Sequence, residues 1–228
     1  MYGSRFEVNR FEDRIVKHEA YPVEENMILF YGHSLFTRCS WIYKTGTNPN
    51  PLLEESVRMK DGSKAIINHA FGTSCAEDLL YYYHRMIKPY KPRALVLATM
   101  DNDISYAYSA KNVVDTQARI VQWAQADFPG IKVYCFSSGV STKHRDAVNI
   151  YTRKRDEYNR YLKLFCEMTE NCTYVPFNEA AFLYEDPADI GDYNKIREDI
   201  FKEDQNHFNP EGYAMFMDYI RELLDDLL

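Results

Sequence analysis

The sequence lacks the features that mark membrane, secreted or repetitive proteins. No apolar run approaches the ~18 residues that a membrane-spanning helix needs. The first twenty residues are charged throughout, so we expect no secretory signal. The 228 residues show no repeat, low-complexity tract or linker. This predicts a single domain over residues 1–228, with residues 1–24 as a helical extension packed on it.

Cysteine is scarce and basic charge is not concentrated anywhere. The five cysteines are an odd number, are widely spaced and form no CxxC pair. Since three of them lie in apolar runs, we expect buried reduced thiols in a cytoplasmic protein. The net charge is −7 and the lysines and arginines are scattered, which argues against a nucleic-acid partner.

Five short apolar runs are continuous rather than alternating, as is typical of strands buried on both faces. They cover residues 27–31, 65–70, 93–100, 131–137 and 172–177. Segments with helical spacing separate them, and the last begins with Asn209 and Pro210, a capping residue and a first-turn proline. This α/β alternation predicts βαβ units in a mostly parallel five-stranded sheet, with the ligand site beyond the carboxyl ends of the strands.

The loops at those strand ends carry residues suited to acyl transfer. Ser34 ends the stretch "ILFYGHS", and His207 lies before the last helix with Asp204 three residues upstream. A serine needs a neighbouring base to become a nucleophile, and a carboxylate can orient that base. Gly72 and Asn102 supply a backbone N–H and a side-chain amide, the donor types that stabilise a tetrahedral oxyanion.

Four blocks in this order resemble the SGNH, or GDSL-type, hydrolases. The blocks are "ILFYGHSLFTRCSW", "INHAFGTSCAEDLL", "MDNDI" and "DQNHFNPEGYAMF", and the resemblance spans nearly the whole chain. It implies a flavodoxin-like three-layer α/β/α sandwich. It also implies no metal or organic cofactor, and a small-molecule acyl ester as substrate.

The resemblance implies a role for each residue of the blocks. Ser34 would be the nucleophile, His207 the general base and then acid, and Asp204 the group that orients His207. The oxyanion hole would consist of the backbone N–H groups of Ser34 and Gly72 with the side chain of Asn102.

Three residues depart from the family pattern. His33 stands where the family most often has aspartate, serine or asparagine, and Met100 and Ala70 replace frequent glycines. We expect His33, Met100 and Tyr106 to line the substrate pocket, with Met100 favouring short acyl groups.

Each of these residues also has a structural alternative. Ser34 could be a helix cap, Gly72 could serve a positive φ, and Asp103 is predicted to form local turn bonds. We expect His18, His84 and His144 on the surface, with His69 either structural or in the pocket. Arg145 could meet an anionic substrate, but a solvated arginine is the simpler expectation. The polar segment 178–203 is unassigned and is expected to shape specificity.

The sequence therefore predicts a serine ester hydrolase that works through an acyl-enzyme, with O-acetylated carbohydrate among the expected substrates. The alternatives are a lysophospholipase-type lipid acylhydrolase, transfer of the acyl group to another acceptor, and a non-catalytic binding domain that keeps the fold. The sequence leaves the oligomeric state open.

Overall fold

The computed structural model describes residues 7, 9–43, 48–144 and 150–228, and a five-stranded sheet forms its centre. The strands are Ile28–Gly32 (β1), Ile66–Asn68 (β2), Ala94–Ala98 (β3), Lys132–Phe136 (β4) and Cys172–Val175 (β5). Their order in the sheet is β2-β1-β3-β4-β5, and every neighbouring pair is parallel. The prediction of a parallel α/β fold is confirmed, and each strand lies within its predicted apolar run to within one residue.

Helices connect the strands and cover both faces of the sheet. The described residues form the α-helices Glu12–Glu19 (α1), Ser34–Thr37 (α2), Leu53–Ser56 (α3), Ala76–Met86 (α4), Asp101–Ser105 (α5), Ala110–Asp127 (α6), Ile150–Glu167 (α7) and Pro210–Leu223 (α8). Asn209 caps α8 by accepting a hydrogen bond from the Gly212 N–H at 2.9 Å, as the sequence predicts. Among the described residues, no helix is both long enough and apolar enough to cross a bilayer.

Two apolar cores lie on opposite faces of the sheet. The alternation in β1 shows the division, since Leu29 and Tyr31 enter one core and Ile28 and Phe30 enter the other. The first core packs against α1, α4, α6 and α7, and the second packs against α2, α3 and α8. Burial on both faces explains why the strands read as continuous apolar runs.

Gly32 lets the two central strands approach each other where β1 ends. A Cβ at this position would lie 2.6 Å from the carbonyl oxygen of Ala98, its register partner in β3. A side chain there would clash with backbone, so a glycine is needed directly before the loop that carries Ser34.

The N-terminal segment contributes one helix to the first core. Phe11 and Ile15 are buried, and α1 packs on α4. Arg85 on α4 reinforces this contact through ion pairs to Glu12 and Glu19 at 2.7 and 2.6 Å. Within the predicted extension, of which the structure describes residues 7 and 9–24, α1 covers residues 12–19.

The polar segment after β5 folds into short 3₁₀ turns. They cover Phe177–Glu179, Ala181–Leu183, Pro187–Asp189 and Tyr193–Lys195. Leu183, Tyr184, Ile196 and Ile200 are buried in the second core. This segment is therefore a packed part of the domain that leads to His207.

Candidate active site

Ser34 lies where β1 ends and α2 begins, at the carboxyl edge of the sheet. His33 caps α2, because its Nδ1 accepts a hydrogen bond from the Leu35 N–H at 3.3 Å. Ser34 is thus the first helical residue, and the alternative that it serves as the cap is wrong. Its half-buried hydroxyl is left to face the cleft.

The fold brings the three predicted triad residues into one hydrogen-bonded line. His207 Nε2 lies 3.1 Å from Ser34 Oγ, although the two residues are far apart in the chain. His207 Nδ1 lies 2.7 Å from Asp204 Oδ2. When Nδ1 carries the proton and donates to the carboxylate, Nε2 is free to accept the serine proton.

The loop that carries His207 is fixed by its own backbone. Asp204 Oδ1 accepts hydrogen bonds from the backbone N–H groups of Asn206 at 3.0 Å and His207 at 2.9 Å. The N–H of Lys202 donates to the His207 carbonyl at 2.8 Å, and Phe201 and Phe208 pair across the turn. One carboxylate oxygen therefore shapes the turn, while the other holds the imidazole.

The pKa shifts of His207 and Asp204 suit general-base catalysis by the imidazole. Burial lowers the pKa of His207, with a further lowering from the Arg38 charge, while Asp204 acts in the opposite direction. Burial alone would raise the pKa of Asp204, but hydrogen bonds from the His207 side chain and from the two backbone N–H groups lower it to about 2. At neutral pH, Asp204 is therefore ionised and His207 is neutral.

Gly72 and Asn102 lie beside Ser34 in the same cleft. A Cβ built on Gly72 would be 4.0 Å from Ser34 Cβ, so the open side of Gly72 faces the serine. Asn102 donates from Nδ2 to the Ser74 carbonyl at 2.9 Å, which fixes its side-chain amide. The amide carries a second N–H that this bond does not use.

Asp103 joins the two loops that hold Gly72 and Asn102. Its buried carboxylate accepts hydrogen bonds from the Ala76 N–H at 3.0 Å and from the Met100 N–H at 3.2 Å. Asp103 thus bonds across loops as well as within its own turn.

A second histidine, His33, directly precedes Ser34 in the chain and is buried beside it. Since its Nδ1 accepts from Leu35, the proton of the neutral ring lies on Nε2, which is 3.3 Å from Asp101 Oδ2. Burial lowers the pKa of His33, partly offset by the Asp101 charge. Asp101 also accepts from Ser138 Oγ at 2.5 Å and lies 3.6 Å from Arg155 Nε. His33 is therefore a fixed, neutral neighbour of Ser34.

These side chains line a cleft of about 560 Å³. The sequence analysis did not identify several of the residues that line it, namely Arg14, Lys17, Arg38, Asp101, Gly139, Tyr151, Arg155 and Phe201. Two of them could have been identified from their positions in the sequence, because Asp101 directly precedes Asn102 and Arg38 follows Ser34 by one helical turn. Arg14 comes from α1, and no motif connects it to the site.

A family model for GDSL-like lipases and acylhydrolases matches residues 30–215, which is more than half of the chain. The chain belongs to this family. It is therefore a carboxylic ester hydrolase of the GDSL type, as the sequence analysis predicted. No curated protein matches the sequence.

Solved structures of esterases and acylhydrolases share the fold at low sequence identity. A GDSL-like lipase from Bacteroides thetaiotaomicron has a TM-score of 0.71 at 16% identity, covering 97% of this chain and 100% of its own. An esterase from Pseudoalteromonas has a TM-score of 0.66 at 15% identity, covering 89% and 98%. A mutant of an acetyl-xylooligosaccharide esterase from Geobacillus has a TM-score of 0.64 at 15% identity, covering 89% and 95%.

Two residues predicted to line the pocket of this GDSL-type protein do not line the cleft. Met100 is fully buried among the apolar side chains of the first core, and its backbone adopts φ 91°. Tyr106 is 38% exposed, and the Arg10 guanidinium lies 5.6 Å from its ring. His33 does line the cleft. Met100 therefore does not shape the acyl pocket.

The predicted positive φ at Gly72 is also wrong. The neighbouring residue, Thr73, adopts φ 67°, whereas Gly72 does not lie in the left-handed region. The glycine matters instead for the space that it leaves beside Ser34.

The remaining histidines include one that borders the cleft. His18 is 2% exposed, not on the surface as expected; it lines the cleft and packs edge-on against His69. His69 is structural, since its Nδ1 lies 2.7 Å from the Met86 carbonyl. His84 is exposed and stacks on Trp123. Arg145 and the side chain of His144 lie outside the described residues.

Three of the cysteines come together away from the cleft. The Sγ atoms of Cys135, Cys166 and Cys172 lie within 4.8 Å of one another against the first core. Among the described residues, this is the one group of histidine, cysteine or carboxylate side chains close enough to share a metal ion, and thiolates suit Zn²⁺ or Cu⁺. All five cysteines are free thiols, and Cys172 is the one that is not fully buried.

Proposed function

We propose that the protein hydrolyses esters through an acyl-enzyme formed on Ser34. The observation that carries the proposal is the line from Ser34 Oγ through His207 to Asp204, with contacts of 3.1 and 2.7 Å. A serine is activated when a neutral imidazole accepts a hydrogen bond from its hydroxyl and donates another to a carboxylate.

In the first step, Ser34 Oγ attacks the ester carbonyl while its proton moves to His207 Nε2. The negative charge on the carbonyl oxygen is stabilised by the backbone N–H groups of Ser34 and Gly72 and by the second N–H of Asn102. Each such donor lowers the barrier by roughly 3 kcal/mol. His207 then gives the proton to the departing alkoxide, and the C–O bond to the alcohol breaks.

In the second step, a water molecule replaces the alcohol. His207 takes its proton, the hydroxide oxygen attacks the acyl carbon, and the tetrahedral intermediate expels Ser34 Oγ. The serine regains its proton from His207, and the product leaves as the carboxylic acid, which releases its proton to solvent. Asp204 stays ionised and stabilises the imidazolium that forms in both steps.

For the substrate, we propose a short acyl ester such as an O-acetylated carbohydrate. An acetyl-xylooligosaccharide esterase of the same fold supports this choice. The expectation that Met100 narrows the pocket no longer supports it, since Met100 lies in the core. A long-chain lipid ester and acyl transfer are the competing candidates, and a cytoplasmic location stays a prediction.

A fluorophosphonate probe tests the nucleophile. We expect labelling of the wild-type chain at pH 7–8, loss of labelling in Ser34→Ala, and unchanged labelling in Ser105→Ala, a control serine that lines the same cleft. Absence of labelling in the wild type, or labelling that survives Ser34→Ala, would contradict the proposal.

Nitrophenyl esters of graded chain length test the acyl group. Acetyl and propionyl esters should give the highest kcat/KM, and acetylated xylose should release acetate. A maximum at octanoyl or longer would favour a lipid ester, and product formed on an added alcohol in preference to water would favour transfer.

A further inference from the structure

The cleft is rich in positive charge, although the chain as a whole is acidic. Its net charge is −7. Among the described residues that line the cleft, one carboxylate, Asp101, faces a larger set of cationic side chains, namely Arg14, Lys17, Arg38, Lys143 and Arg155. An electropositive cleft in an acidic chain is a local feature that overall composition does not produce.

One of these cations is neutralised within the protein. Arg155 is buried and its Nε lies 3.6 Å from Asp101 Oδ1. The other four make no ion pair with any carboxylate of the described residues. The cleft lining therefore carries an excess of positive charge, and four of its cations form no ion pair within the described part of the chain.

Arg14 places part of this excess next to the nucleophile. Its Nη1 donates to the Gly72 carbonyl, and the open side of Gly72 lies within 4.0 Å of both Arg14 Nη1 and Ser34 Cβ. The guanidinium keeps further N–H donors beyond the one that this bond uses. Arg14 is therefore anchored beside the proposed oxyanion hole.

Arg38 brings positive charge to the part of the cleft that holds His207, the proposed base. It follows Ser34 by four residues, so both side chains leave α2 on the same face. Arg38 and His207 both line the cleft, and the Arg38 charge contributes to the lowered pKa of His207. Arg14, on α1, and Arg38, at the end of α2, thus line the cleft that holds the Ser34–His207 pair.

We propose that the ester substrate carries an anionic group, a carboxylate or a phosphate, close to its scissile bond. This inference rests on the proposed function and narrows its substrate class. Guanidinium groups bind carboxylate and phosphate oxygens through paired N–H donors, and a cleft of one sign concentrates ligands of the opposite sign. An anion at this position would pair with cations that form no ion pair within the described part of the chain.

Matched ester pairs test the proposal and show whether the anion lies on the alcohol side or the acyl side of the scissile bond. On the alcohol side, 4-acetoxybenzoate is compared with 4-acetoxybenzamide; on the acyl side, mono(4-nitrophenyl) adipate is compared with its methyl-capped ester. Each rate is divided by the rate of the same ester with hydroxide, which corrects for intrinsic reactivity. We expect kcat/KM for the anionic member of at least one pair to exceed its neutral partner by about 10-fold, and the ratio to fall toward 1 as salt rises.

Arginine substitutions assign the effect to the cleft. Within each of Arg14→Gln and Arg38→Gln, the ratio of anionic to neutral kcat/KM should fall, whatever happens to the absolute rates. Arg119→Gln is the matched control, since Arg119 is exposed on α6 and does not line the cleft. A ratio of 1 or less in both ester pairs, or a ratio that survives the Arg14→Gln/Arg38→Gln double variant, overturns the inference.

Binding to Ser34→Ala separates this inference from the proposed function. Calorimetry with the same ester pairs measures the preference for the anion without turnover. If neutral esters are not hydrolysed and the fluorophosphonate does not label, the proposed function fails. Tighter binding of the anionic ester than of its neutral partner would then still support an anion-binding cleft. Equal affinities would overturn the inference.

Discussion

Asp204→Asn should impair the enzyme more than Asp204→Ala, although asparagine is closer in shape to aspartate. The reason lies in how the two carboxylate oxygens are used. Oδ1 accepts hydrogen bonds from the backbone N–H groups of Asn206 and His207, and Oδ2 accepts from His207 Nδ1. An asparagine that keeps both backbone bonds must place its oxygen on them, and its NH₂ group then faces the imidazole.

This orientation selects the wrong tautomer of His207. An NH₂ group facing Nδ1 requires Nδ1 to accept, so the ring proton moves to Nε2, where it blocks transfer from Ser34. A triad with this substitution loses about 10⁴ in kcat when the carboxylate is buried. Because the Asp204 side chain is 45% exposed and water can compete, we expect a loss of about 10³-fold here.

In Asp204→Ala the charge and the two backbone hydrogen bonds to Oδ1 are lost, but the tautomer is not forced. A charge-assisted hydrogen bond contributes about 1.5–3 kcal/mol, equivalent to roughly 10- to 100-fold in rate. Water can occupy the half-exposed position and accept from Nδ1, so the alanine variant should retain more activity than the asparagine variant.

The assay is kcat/KM for 4-nitrophenyl acetate at pH 7.5, with thermal unfolding to show that each variant is folded. Glu203→Gln is the matched control, because it removes one exposed negative charge from the adjacent position and should stay within about 2-fold of wild type. The ¹⁵N shifts of the His207 ring should show the proton on Nε2 in Asp204→Asn. Equal losses in the two variants, or a proton that stays on Nδ1, would refute the tautomer argument.

Three further predictions concern pH and stability. The charge of Arg38 helps to lower the pKa of His207, so Arg38→Gln should move the acid limb of the kcat/KM profile to higher pH; an unmoved limb would contradict this electrostatic effect. Burial raises the pKa of Glu54 from 4.5 to about 7, so the native state holds an extra proton between these values. The unfolding free energy of the wild type should therefore fall by about 3 kcal/mol relative to Glu54→Gln as pH rises through that window, whereas parallel curves in urea titrations would show that the shift is absent. Gly32→Ala forces a Cβ to within 2.6 Å of a backbone oxygen and should cost about 3 kcal/mol of unfolding free energy. Gly130→Ala, which meets nothing within 4 Å and suffers only from its φ of +85°, should cost about 1 kcal/mol; equal costs would contradict the packing argument.

The sheet and the proposed triad could be predicted because each depends on local sequence and one topological rule. Strands buried on both faces give continuous apolar runs, and the carboxyl ends of parallel strands meet at one edge. Ser34, Gly72, Asn102 and His207 each follow or precede an element that the apolar pattern identifies. Their convergence in the cleft follows from the fold, while their chemical roles stay proposals until measured.

Other features could not be predicted because they depend on contacts between distant segments. Met100 lies in the first core with its backbone at φ 91° before α5, and residue type alone indicates neither the burial nor the backbone conformation. His18 is buried because α1 packs on the first core beside His69. The segment after β5 is polar in composition, and its few apolar residues show no helical or strand periodicity. The burial of Leu183 and Ile200 could therefore not be predicted from the sequence.

The same long-range packing connects stability to the electropositive cleft. Arg14 reaches Gly72 only because Phe11 and Ile15 anchor α1 in the first core and Arg85 pairs with both ends of that helix. A change that loosens α1 should therefore remove Arg14 from the cleft while leaving the Ser34–His207 contact, which other elements hold, in place. The preference for an anionic ester is thus expected to be lost before the hydrolysis of neutral esters, because specificity and chemistry depend on different parts of the fold.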